Sequence, residues 1–197
     1  MAFLRSVSAF EAPAALQGNG LHLRLPVSGD YLQWAQLRAR SREFLVPWEP
    51  SWANDELTRG AYRRRLRQYN KELREETGYA FFIFRSSDHM LLGGLSLTNV
   101  RRGVTQACTL GYWMGAPHAG QGYMTEAVRT LLPFVFQHLW LHRLEAACLP
   151  NNANSVRVLE KTGFIYEGLA RRYLKINGSW QDHSLYALVA EDPARTL

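Results

Sequence analysis

The sequence predicts a mixed α/β (α+β) protein: a mostly antiparallel sheet of about seven strands flanked by helices. Three observations predict it. Seven short runs read as strands and four longer ones carry apolar residues at helical spacing, interleaved in the order β–α–α–β–β–β–α–β–α–β–β. No internal repeat or low-complexity linker divides the chain. Its 197 residues suffice for one substantial core and are too few for two full domains, so residues 1–197 read as a single domain, with 1–20 and 191–197 as terminal extensions.

In order, LHLRLP (21–26) alternates and stops at Pro26, as a short strand does. Ser28 is placed to cap a helix that runs to Arg40, with Tyr31, Trp34, Ala35 and Leu37 on its apolar side. FLVPWEP (44–50) is an aromatic, proline-broken loop. Asn54 to about Glu76 is a long amphipathic helix whose stripe is Leu57, Ala61, Leu66, Tyr69 and Leu73. YAFFIFR (79–85), LLGGLSLTNV (91–100) and TQACTLGYWMG (105–115) are three strands, the first two joined by SSDHM as an antiparallel hairpin. A helix spans about Gly122 to Trp140, and the strand RLEAACL (143–149) follows it. After the turn PNNAN, the short helix NSVRVLEKTG (154–163) ends on Gly163, a residue suited to a left-handed helix exit. FIYEGLARRYLKI and SWQDHSLYALVA flank an Asn-Gly turn, which is a hairpin signature.

Composition narrows the setting. Hydrophobic residues make up 47% and charged residues 20%, an ordinary globular balance. The stretch 1–20 is only mildly apolar and carries Arg5 and Glu11, a poor match to a secretory leader. No run approaches the roughly 18 uninterrupted apolar residues of a membrane span. The two cysteines, Cys108 and Cys148, lie in apolar stretches and read as free core thiols, which places the chain in the cytoplasm. The net charge of +6 is compatible with phosphates, nucleic acid or acidic peptide. Arg63, Arg64, Arg65 and Arg67 form the densest basic cluster, either a solvated helix face or a patch that meets RNA on the ribosome.

The stretch PHAGQGYMTEAVRTLL (117–132) sets two glycines at a helix entrance. Helix starts do not need two, so either the backbone is approached closely by a ligand or the strand-to-helix turn packs tightly. Dinucleotide and Walker loops both fail here: Thr125 stands where a GxGxxG motif needs its third glycine, and Gln121 where a Walker loop needs lysine. What remains is a helix N-terminus with unpaired amides and a partial positive charge, suited to a diphosphate.

GYWMGAPHAGQGYMTEAVRTLL resembles motif A of the GNAT acyl-CoA N-acyltransferases, and PNNANSVRVLEKTGF (150–164) resembles the motif-B segment that follows it. SREFLVPWEP (41–50), QACTLGYWM (106–114) and INGSWQDHSLYAL (176–188) are similar to ribosomal-protein N-terminal acetyltransferases of the RimJ/RimL type. The resemblance runs from about Leu21 to Val189. It implies a sheet splayed at its central strands and acetyl-CoA as co-substrate, with no metal. Gln121, Gly122, Tyr123, Met124 and Thr125 would lie on the pyrophosphate, and Trp113 and Met114 at the thioester carbonyl. Asn151, Asn154 and Ser155 would meet the pantetheine arm or the sulfur. Many relatives carry a tyrosine in motif B that protonates the leaving thiolate. None lies between Asn151 and Lys161, so Asn154 and Ser155 are the donors nearest that place.

The resemblance also implies direct attack of an amine on the thioester. As general base, Glu145 on its strand and His183 in the last strand are candidates. Phe44, Trp48 and Glu49 would receive the acceptor, the carboxylate greeting its ammonium. His138 and His142 stand four apart, but Leu139 replaces the glutamate of HExxH and no third ligand presents itself. No GxSxG elbow or Cys/His pairing supports an acyl-enzyme. A weak base favours an α-amine: with pKa near 8 it is about one-tenth neutral at pH 7, whereas a lysine is neutral about once in 2,500. The acceptor expected is therefore a protein N-terminus, such as a ribosomal protein's. The alternatives are a small amine (polyamine, aminoglycoside or amino compound) or a non-catalytic acyl-CoA-binding factor on the ribosome. The chain would act as a monomer or homodimer.

Overall fold

The computed structural model describes residues 15–192. Residues 1–14 and 193–197, which hold most of the two expected terminal extensions, lie outside the described residues.

Eight strands form one sheet in the order β1-β2-β3-β4-β5-β6-β8-β7. They are β1 (Leu16–Gln17), β2 (Leu21–Arg24), β3 (Tyr79–Arg85), β4 (Leu91–Arg101), β5 (Ala107–Met114), β6 (Arg143–Cys148), β7 (Ile165–Ile176) and β8 (Ser179–Val189). Every neighbouring pair is antiparallel except β5 and β6, which a helical crossover joins in parallel. The eighth strand, β1, is two residues long and lies inside the stretch read as an N-terminal extension.

β3 is buried on both faces, which fits its unbroken apolar run in the middle of a sheet. Tyr79, Phe81 and Ile83 point to one side, into the larger core under α4 (Tyr123–Pro133). Phe82 and Phe84 point to the other, against Trp34 and Leu37 of α1 (Tyr31–Arg40) and Tyr62. Tyr62 belongs to α3 (Arg59–Arg74). A short α2 (Arg42–Leu45) and a 3₁₀ turn (Val46–Trp48) occupy the stretch expected to be a loop.

Several helix boundaries differ from expectation for identifiable reasons. Asp30, not Ser28, organises the start of α1: its buried carboxylate pairs with Arg24 and accepts from the Val27 amide at 2.8 Å. α3 begins at Arg59 rather than near Asn54, because Thr58 caps it by accepting from the Ala61 amide at 3.2 Å. Pro133 brings no amide to the ladder, and the next turn (Phe134–His138) widens to a π-helix, closed by the Leu139 amide on the Phe134 carbonyl at 2.9 Å. The expected helix to Trp140 is thus two segments. At the end of α5 (Ala153–Lys161), Gly163 has φ +92°, and the amides of Phe164 and Gly163 bond back to the Leu159 and Glu160 carbonyls. That is the glycine exit the sequence predicts.

The basic cluster is divided. Arg63, Arg64 and Arg67 are exposed, while Arg65 is half-buried, lies over the Trp34 ring and pairs with Glu56.

Candidate active site

The parallel pairing of β5 and β6 stops early. Ala107 to Leu110 pair with Arg143 to Ala146, after which β5 runs on to Met114 and β6 to Cys148 without touching. This is the expected splay, and it opens a cavity of about 600 Å³.

Strand geometry decides which backbone groups look into it. The Gly115 amide donates to the Leu92 carbonyl of β4 at 2.8 Å. Amides alternate along a strand, so Trp113 also faces β4, while Tyr112 and Met114 turn their amides toward the edge that β6 has left. Of the two residues expected at the thioester, Met114 therefore offers the amide. The Trp113 ring lies on the α1/α3 face of the sheet, edge-on to Phe82 and beneath the Arg38 guanidinium.

The loop before α4 forms a second wall through Gly120, Gly122, Tyr123, Met124 and Thr125. Gly120 and Gly122 have φ of +74° and +86°, and a Cβ at either would meet nothing within 4 Å. Backbone conformation requires these glycines, and the space above them is open. Gly122 is the N-cap of α4 and no side chain caps the helix, so its first amides keep the positive end of the helix bare. The expected Gln121 does not join them: its exposed amide folds back onto the Pro117 carbonyl at 2.9 Å. His118 lies nearly buried beside this loop. Burial, helped by Arg85 and Arg40, lowers its pKa and favours the neutral ring.

α5 supplies the third wall with Asn154 and Ser155. Asn151 is exposed and stays outside the cavity, whereas Asn152 lines it and caps α5, its Oδ1 accepting from the Ser155 amide at 3.1 Å. The Ser155 hydroxyl lies 2.6 Å from the phenol of Tyr112, across the splay. Burial pushes that phenol's pKa up, so it stays protonated. Tyr112 was not among the sequence candidates. A tyrosine hydroxyl thus reaches Ser155 from β5 rather than from α5, and no spacing within either motif signals a contact between residues 43 apart. Cys148 also lines this end, its thiol pKa raised by burial and partly offset by Ser155.

Opposite, Phe44, Trp48 and Glu49 face Leu174, Lys175, Ile176 and His183 of the β7–β8 hairpin. The Asn177 amide ties the hairpin tip to the Glu49 carbonyl at 2.9 Å. The Glu49 carboxylate takes both guanidinium ends of Arg38 at 2.7 Å and the Trp52 indole N–H at 2.7 Å. Arg38 is itself held between the Trp52 and Trp113 rings. Glu49 is thus already matched by a buried cation, with one accepting position to spare. A second hollow of about 350 Å³ on the α1/α3 side shares Glu49, Tyr112 and Trp113 with the first.

Glu145 is corrected as a base candidate. Leu144 and Ala146 point into the core, so Glu145 faces the other side of β6, paired with Arg101 and, at 3.0 Å, with Arg143. It lines a separate polar groove beside α3. Among the described residues, no group of three or more His, Cys, Asp or Glu could hold a metal, and no helix is long and apolar enough to cross a membrane.

The family model described as the Acetyltransferase (GNAT) domain matches residues 21–165. The chain is 38% identical over 177 residues to the probable N-acetyltransferase YjcK of Bacillus subtilis, covering 90% of this chain and 98% of that one. It is 33% identical over 172 residues to the [ribosomal protein uS5]-alanine N-acetyltransferase of Escherichia coli, covering 87% and 89%. The solved structure of Mycobacterium smegmatis RimJ in complex with CoA-disulfide superposes with a TM-score of 0.85 at 31% identity, covering 91% of this chain and 87% of that one. With its splayed sheet and glycine-led helix, the chain belongs to the GNAT acetyltransferase family.

Proposed function

We propose that the chain transfers the acetyl group of acetyl-CoA to the α-amino group of a protein N-terminus, with a ribosomal protein as the acceptor. The observation that carries this is the splay itself, which brings the Met114 amide, the bare N-terminus of α4 and the Ser155–Tyr112 hydroxyl pair around one cavity. The open space over Gly120 and Gly122 fits a diphosphate against the amides of Tyr123, Met124 and Thr125. Each remaining group has one task. The Met114 N–H donates to the carbonyl oxygen as negative charge gathers there. Ser155, backed by Tyr112, delivers a proton to the departing sulfur, and Asn154 stands beside it as a second donor. Phe44 and Trp48 pack the acceptor's first side chain, and Glu49 orients its ammonium through the accepting position that Arg38 and Trp52 leave.

The relatives named for ribosomal-protein alanine support the protein acceptor. On this reading the chain is one catalytic domain that works in the cytoplasm, as a monomer or homodimer, with the exposed Arg63, Arg64 and Arg67 on the side of α3 that meets ribosomal RNA. The test is acetyl-CoA with a library of free-N-terminus peptides and N-blocked, lysine-containing peptides, read by mass spectrometry. Acetyl groups on α-amines are expected. Acetylation mainly of lysines, or only of added polyamines, overturns the reading in favour of a small-amine acceptor.

A further inference from the structure

An ammonium cannot attack a thioester, so some group must hold its proton. The two carboxylates singled out in the sequence are otherwise engaged: Glu145 lies on the far face of β6 between two arginines, and Glu49, the carboxylate that lines the cavity, is matched by Arg38. His183 remains. It lies on β8, only 2% exposed, and its ring lines the splay cavity. Its Nδ1 is 3.0 Å from the Gln181 carbonyl. A carbonyl oxygen only accepts, so Nδ1 carries the hydrogen, and in the neutral ring the lone pair belongs to Nε2. Among the described residues no hydrogen bond engages Nε2. Tyr173 packs edge-on against the ring, with centroids 5.9 Å apart.

The position also fits. Ser184 pairs with Cys148, the last residue of β6, so His183 is one step beyond the end of that strand's pairing, in the stretch where β5 and β6 have already parted. Cys148 in turn adjoins the Ser155 hydroxyl. The titratable and charged groups around the cavity are Tyr173 and Lys175 from β7, Cys148 from β6, Tyr112 from β5, Glu49 from the loop, His118 and Tyr123 beside the glycines before α4, and Arg157 and Lys161 from α5. The other imidazole, His118, sits beside the glycine loop proposed for the diphosphate, whereas His183 is on the hairpin wall that faces Phe44 and Trp48.

We propose that His183 is the general base of the acetyl transfer, a role that rests on the acceptor being an amine in this cavity. Nε2 takes the proton that the ammonium must lose before its nitrogen attacks, and the resulting imidazolium releases it to water. As the C–N bond forms and the C–S bond breaks, the nitrogen sheds a second proton. That loss balances the proton which Ser155 and Tyr112 deliver to sulfur. The products are an amide, a thiol and one proton in solution.

The test uses the full chain, an α-amine peptide acetylated by the unaltered protein, and three variants. His183→Asn keeps a donor near Nδ1 but has no group at Nε2, and His183→Gln places an amide near Nε2. Both are expected to lose about a hundredfold or more in kcat, with the calorimetric affinity for coenzyme A and the KM for acetyl-CoA within about threefold of the starting values. The acid limb of kcat/KM attributable to the enzyme should disappear, and added imidazole should restore part of the rate to His183→Ala. Folded variants with full kcat and an unchanged pH profile would overturn the proposal. So would nitrogen-15 NMR of the unaltered protein that finds the hydrogen on Nε2 rather than Nδ1, a result needing no variant. An unaltered protein that acetylates no amine would instead defeat the proposed function, so the two failures are distinguishable.

Discussion

Replacing Gly122 separates the shape of the loop before α4 from its use. At φ +86° any L side chain meets left-handed strain of about 1–2 kcal/mol. A Cβ there touches nothing within 4 Å, so no clash adds to that cost. Gly122→Ala should therefore lower stability by about 1–2 kcal/mol, or a Tm shift of roughly 2–8 °C for a chain of this size. The strain is carried whether or not the site is filled, so the affinity for coenzyme A should change little. Gly122→Glu carries the same strain and adds a negative charge at the uncapped end of α4. At about 4 Å from a phosphate, one unit of like charge costs about 1–4 kcal/mol between the water and protein-surface limits. Relative to Gly122→Ala, that is a loss of about fivefold to a thousandfold in Kd, shrinking as salt is added. Titration calorimetry with coenzyme A at two ionic strengths measures it. If folded Gly122→Glu binds within twofold of Gly122→Ala at low salt, the diphosphate does not sit on this helix and the loop is only a turn.

Ser155→Ala and Tyr112→Phe should each lower kcat about tenfold to a thousandfold while moving KM for acetyl-CoA much less; because the two hydroxyls act as one relay, losses that simply multiply in the double variant would contradict it. Glu145→Gln should leave kcat/KM within about twofold, since its carboxylate serves two arginines on the outer face; a hundredfold loss in steady-state assays would return it to the mechanism. Burial pushes the Cys108 thiol up to about 12, so the folded protein keeps a proton that the unfolded chain releases near pH 9. Stability should therefore fall as pH rises from 9 toward 12, by up to about 1.4 kcal/mol per pH unit from this group; denaturant titrations between pH 9 and 10 should show a shallower fall in Cys108→Ala.

Local chemistry made much of the fold legible. The unbroken apolar run of β3, the alternation in β6, the Asn-Gly turn of the last hairpin and the Gly163 exit all act over a few residues, and all appear where the sequence places them. The glycines of the loop were readable for the same reason, since a left-handed backbone favours glycine at the residue that adopts it. The site was less legible wherever a role depends on a distant partner. Nothing near Glu49 in sequence announces Arg38 between two tryptophans, and nothing in GYWM announces that Tyr112 reaches Ser155. Alternation along β6 alone was enough to turn Glu145 away from the cavity. His183 could be nominated as an imidazole near the end of the chain, but the carbonyl that sets its tautomer emerges only once β8 is folded.

The four residue pairs joining β5 to β6 make the sheet two slabs held along a short seam, β1 to β5 on one side and β6 to β8 on the other. Past Leu110 the backbone of β5 has lost its neighbour, so the amides of Tyr112 and Met114 are poised to exchange with solvent deuterium faster than those facing β4. A ligand that fills the wedge spans both slabs and satisfies groups that the sheet itself leaves open. At a hundred times its Kd it would add about 2.7 kcal/mol to the stability of the whole chain, concentrated where the empty protein is easiest to pry apart. Deuterium uptake at this seam therefore reports occupancy, and the empty enzyme should be cut first by proteases along the edges of the wedge it needs for catalysis.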